Sequence, residues 1–131
     1  MARQMRTSDK GVELIKSFEG FRARASRLPD GKWLIGYGHM ETARAGLTVS
    51  AFDAELILRF HDLKRVENHL ARQVYTPLSQ NEFDALVSFA FNIGLKAFDA
   101  SDVLAHLNSG DRILAAEAMS GWRRGRVDGQ I

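Results

Sequence analysis

The spacing of the apolar residues changes twice along this chain, and those changes confine what it can fold into. Before Gly20, Val12, Ile15 and Phe18 fall at helical spacing behind a cap at Thr7 or Ser8. From Phe21 to about Met40 the helical pattern gives way to alternation. Pro29-Asp30-Gly31 is a turn tripeptide, after which Trp33, Ile35, Tyr37 and His39 alternate with Lys32, Leu34, Gly36 and Gly38. That stretch predicts a small glycine-rich β-hairpin, with Gly20 as the stop signal of the helix before it.

Helical spacing then returns and persists. Ser50 with Asp53 resembles a capping box and opens a long helix to about residue 74, with Leu56, Phe60, Leu63, Val66, Leu70 and Val74 as its expected buried stripe. Ser79 with Glu82 is a cleaner box for a helix from 80 to about 93, ended by Gly94. Its Phe83, Leu86, Val87, Ala90 and Phe91 mark it as the most buried helix. Shorter helices are expected over 101–108 and 111–120. One helix, a small hairpin and then a helical lobe make an α+β fold with segregated parts.

The chain of 131 residues suffices for a single domain over 1–131, and 45% hydrophobic with 26% charged residues is ordinary globular composition. It has no cysteine, and no apolar core of a signal peptide follows the basic start, so an export signal is not expected. Arginines bunch at Arg22, Arg24 and Arg27 and again at Arg123, Arg124 and Arg126, which suits an acidic partner, an anionic glycan or plain solvation. No nucleic-acid motif accompanies them. His61, His69 and His106 lie on helices without ligand spacing to carboxylates, so neither a metal nor another cofactor is expected.

Glu19 is the residue with the clearest chemical potential. It ends an amphipathic helix between Phe18 and Gly20-Phe21. The negative end of the helix dipole and apolar neighbours both disfavour a carboxylate, so its pKa is expected to be raised. A general acid that protonates a leaving oxygen near neutral pH needs that property.

Three stretches in order, Glu19-Gly20, then Trp33-Leu34-Ile35-Gly36-Tyr37-Gly38-His39, then Gln80 to Gly94, resemble the phage lysozymes, a family of muramidases. The resemblance runs from about residue 8 to 122. It implies a lysozyme-like fold with a cleft between a hairpin lobe and a helical lobe. Glu19 matches the family's catalytic acid, and Arg22, Arg24, Ser26, Gly36, Gly38 and Asn92 fall where cleft or interaction surface is implied. Two catalytic positions depart from the pattern. The family's aspartate, nine residues after the glutamate, is Leu28, and its threonine, fifteen after, is Leu34. The usual tyrosine is Ser26. Glycoside hydrolysis normally requires a second carboxylate, which leucine cannot replace. Asp30 lies two residues past the expected place, where a turn role also accounts for it. The alternation of the strand predicts that Leu34, Gly36 and Gly38 share a face toward the cleft, made apolar by the two leucines.

The Leu28-Pro29-Asp30-Gly31-Lys32-Trp33 turn with Thr42-Ala43-Arg44-Ala45-Gly46 is similar to the muramidase-like domains of SpmX polarity proteins. That resemblance implies a cytoplasmic domain at the cell pole within a larger membrane-anchored protein. It implies self-association and contact with the scaffold PopZ and the histidine kinase DivJ as partners. Family members continue past the tryptophan matching Trp122 into a basic final helix, so the chain is expected to be an excised domain or fragment. Two functions remain open at this point, an interaction module on a disabled lysozyme fold and an active peptidoglycan hydrolase.

Overall fold

The computed structural model describes residues 4–128, with side chains through Trp122. The side chains of Arg123, Arg124 and Arg126, and residues 129–131, lie outside the described set. The chain divides into two compact units, Arg6–Arg65 and a second formed by Val66–Ile131 together with Met1–Met5.

In the first unit, α1 (Asp9–Glu19) is capped by Ser8, whose hydroxyl accepts from the Gly11 N–H, and it ends at Gly20 with φ +72°. Val12 and Ile15 are buried, whereas Phe18 is 62% exposed and does not join the core as its spacing suggested. The predicted hairpin is present as β1 (Arg22–Arg27) antiparallel to β2 (Trp33–Gly36). Gly31 N–H donates to the Leu28 carbonyl at 2.9 Å and Leu28 N–H to that of Lys32 at 2.7 Å, which closes the Pro-Asp-Gly turn. On its other side β1 is joined by residues 47–49, through Ala25 N–H to Leu47 O (2.9 Å) and Val49 N–H to Ala23 O (2.8 Å).

Ser50 caps α2 (Ala51–Ile57) by accepting from Asp53 N–H. The helix continues through a π-helical turn, Leu58–Asp62, whose closing bond runs from Leu63 N–H back to Leu58 O, and then into α3 (Leu63–Gln73). This turn shifts the phase of the buried face. Ala54, Leu58 and Asp62 face inward before Leu63, Val66 and Leu70 take over, so Leu56 and Phe60 are 40% and 64% exposed and leave the expected stripe. An i→i+5 turn unwinds the helix locally and rotates everything before it relative to everything after.

The second unit is helical. α4 (Gln80–Ile93) opens on a complete capping box between Ser79 and Glu82. It buries Phe83, Leu86, Val87, Phe89 and Ala90 and ends at Gly94 with φ +94°. A short α5 (Leu95–Asp99), not anticipated from the spacing, leads to α6 (Asp102–Asn108), which Ser101 caps. The last helix, α7 (Arg112–Asp128), runs past the expected stop near 120. Phe98, Val103, Leu107 and Ala115 complete this unit's core.

Candidate active site

Glu19 closes the last turn of α1, where Gly20 N–H donates to the Lys16 carbonyl at 2.9 Å. The glutamate is half-buried. Its carboxyl group lies on the backbone of Gly38, where a β-carbon would come within 2.5 Å of Glu19 Oε1 and 3.1 Å of Cδ. Gly38 also has φ +84°, a conformation that L side chains rarely adopt. Glycine at this position therefore serves both the turn and the seat of the acid.

Three residues form that turn. Ile35 and His39 exchange both backbone hydrogen bonds, each 2.9 Å, around Gly36-Tyr37-Gly38. The chain reverses there, so the alternation of β2 stops at Gly36 and cannot be extended to Gly38. Gly36 is buried, and a β-carbon on it would meet Ala54 Cβ at 3.0 Å. Leu34 is 9% exposed and belongs to the small core beneath the hairpin. The expectation of one cleft-facing surface through Leu34, Gly36 and Gly38 is thus corrected: Leu34 and Gly36 are buried, and of the three it is Gly38 that lies against the Glu19 carboxyl. Leu28 is half-buried at the mouth of the turn. Asp30 is exposed and accepts from Lys32 N–H at 3.0 Å, the bond expected of a turn aspartate. It is the sole acidic residue between Gly20 and Met40.

Ser26 pairs in register with Leu34 and is half-buried, while Arg22 and Arg24 are exposed on β1. Asn92 is exposed on the last turn of α4 and belongs to the other compact unit.

Two sets of contacts brace this arrangement. Lys16 Nζ bonds Glu55 at 2.6 Å and lies 5.1 Å from the Tyr37 ring centroid, and Arg59 reaches Glu55 at 2.8 Å and Asp9 at 3.0 Å. These pairs tie α1 to α2 and to the π-helical turn. The Lys16 hydrogen bond, then that of Arg59, holds the Glu55 carboxyl below its ordinary range, and Glu55 in turn raises Lys16. Sequence reasoning missed the second brace. His39 Nδ1 lies 3.0 Å from both carboxylate oxygens of Asp62, and His39 Nε2 lies 2.9 Å from Thr42 Oγ1. Both His39 and Asp62 are buried. Burial pushes the Asp62 carboxyl up, against the opposing pull of His39. Asp62 is supplied by the π-helical turn, 23 residues from its partner, and nothing in the local sequence signals the pairing.

Among the described residues no group of three or more His, Asp or Glu side chains is arranged to hold a metal, and no helix is long and apolar enough to cross a membrane. A largely apolar cavity of about 300 Å³ lies in the second unit, lined among others by Leu78, Leu86, Leu107 and Met119. Glu82, Ala85 and Leu86 of the third motif stretch line it, but Glu19, Leu28 and Leu34 do not.

One carboxyl at the end of the first helix, seated on a hairpin glycine and followed by a helical unit, defines the lysozyme class of glycosidase folds. The chain belongs to the phage lysozyme family, which matches residues 16–131. It is 39% identical to an endolysin of Acyrthosiphon pisum secondary endosymbiont phage 1 over 96% of this chain and 86% of that one. It is 36% identical to the endolysin of Salmonella phage P22, over 97% and 90%. Among solved structures it is similar to the muramidase domain of SpmX from Asticaccaulis excentricus, with 56% identity, a TM-score of 0.86, and coverage of 92% of this chain and 80% of that one. An endolysin from Escherichia coli O157:H7 phage FAHEc1 gives 34% identity and a TM-score of 0.85, covering 93% and 79%.

Proposed function

We propose that this lysozyme domain has lost efficient peptidoglycan hydrolysis and works as a self-associating protein-interaction module in the organisation of a bacterial cell pole. The observation that carries this reading is Leu28. In the expected place of the second carboxylate stands a side chain that can neither activate water nor stabilise an oxocarbenium-like transition state. Leu34, at the threonine position, is buried and contributes packing in place of a hydroxyl. Asp30 is committed to its turn. The likeness to the SpmX muramidase domain supports the role, and by that resemblance the domain acts in the cytoplasm with a polar scaffold of the PopZ type and a histidine kinase of the DivJ type.

The competing reading, an active muramidase cleaving bonds between N-acetylmuramic acid and N-acetylglucosamine, is favoured by one feature. Glu19 retains its place at the end of α1 on Gly38. With leucine at the position of the second carboxylate, at most a slow reaction is left.

Light scattering across a concentration series tests the interaction role. The mass is expected to rise with concentration, and Leu28→Glu, at a half-buried turn position, should weaken association by about 1–3 kcal/mol with the fold intact. A strictly monomeric chain at high concentration contradicts it.

A further inference from the structure

The hairpin region carries cations that the fold does not use. Arg22, Arg24 and Arg27 are exposed along β1, and Lys32 and Arg44 are exposed in the adjoining turns. None of the five forms an ion pair among the described residues. Outside the hairpin, Arg59 holds Asp9 and Glu55, and Arg112 holds Glu82. The acidic residues of the same region are Asp30 and Glu41. Asp30 accepts from Lys32 N–H, and Glu41 lies 2.6 Å from His61 Nε2 and 3.9 Å from Arg65. Residues 20–46 therefore hold five cations against two carboxylates, and the region is net positive.

We propose that this arginine-bearing surface of the β1–β2 unit binds an acidic polypeptide segment. The proposal rests on the interaction reading above and names the chemistry of one partner. Four of the five cations are arginine, whose planar fork matches a carboxylate with two parallel hydrogen bonds. The strand that carries Arg22, Arg24 and Arg27 lies between β2 and residues 47–49, so their backbone is fixed before any partner arrives. Ala23 and Ala25 separate the arginines, which leaves no aromatic ring between them on which a base could stack. Apolar side chains lie close in sequence, with Phe21 42% and Met40 41% exposed, a setting that suits a peptide of mixed acidic and apolar residues better than a polyphosphate.

The test is fluorescence anisotropy of the whole chain with a labelled Glu/Asp-rich peptide containing leucines, at low and physiological salt. Saturable binding is expected, and it should weaken steeply as salt rises. Arg22→Gln, Arg24→Gln and Arg27→Gln together should weaken it about tenfold or more, whereas Lys64→Gln, Arg72→Gln and Lys96→Gln, the same charge loss elsewhere, should change it less than about twofold. Circular dichroism checks that both triple variants fold. Equal losses from both triples overturn the proposal, as does the absence of saturable binding. So does tighter binding of a single-stranded oligonucleotide at the same salt. Self-association is measured separately, so failure here with self-association intact removes only the acidic-segment inference.

Discussion

At Gly38 two demands coincide, a positive φ and the close approach of the Glu19 carboxyl. Gly38→Ala should therefore destabilise the protein by about 1–3 kcal/mol and displace the acid, measurable by urea denaturation. Asp62 makes a different kind of prediction. Its pKa is raised by burial, so the folded chain keeps this proton to higher pH than the unfolded chain does. Its contribution to stability is fully present below the ordinary carboxylate pKa and falls as pH rises through the window up to the raised folded value. Urea midpoints through that acid window should show this falling component in the wild type and lack it in Asp62→Asn. An identical pH slope in both proteins would refute the assignment. The position of Glu19 at the end of α1 and of Leu28 at the hairpin turn was legible in the sequence, because local signals place both. The His39–Asp62 pair was not, since the two residues meet only when the hairpin turn packs on the π-helical turn.

Helices announced themselves through their ends more reliably than through their faces. Ser79 and Glu82 sit where the capping box was expected, and both reciprocal bonds form. Ser79→Ala should cost about 1 kcal/mol in chemical denaturation. The faces misled at Leu56 and Phe60, because the local sequence gives no sign of a π-helical turn, and its phase shift carries both residues out of the core. The hairpin misled in a similar way. Alternation of residue types continued through Gly36-Tyr37-Gly38 although the chain reverses there, so Leu34 was expected on a surface and is instead buried. Leu34→Glu should consequently unfold the hairpin unit, by about 3 kcal/mol or more, and a soluble variant of unchanged thermal stability would contradict that placement.

For the whole molecule, the acid, the two leucines and the exposed arginines of β1 all fall within the unit Arg6–Arg65, while Asn92 belongs to the helical unit. On the reading proposed above, the family's architecture is retained around a site that lacks one catalytic carboxylate. That claim is tested most directly by the initial rate at which the chain clears a suspension of bacterial cell walls, measured beside the phage P22 endolysin at equal molar concentration. The account predicts clearing at least about a hundred-fold slower than that endolysin, since losing a positioned acid or base removes roughly 10²–10⁴-fold in rate. Leu28→Asp with Leu34→Thr should recover part of that rate, and Glu19→Gln should abolish what is recovered. Clearing by the unmodified chain at a rate comparable to the endolysin would contradict the account.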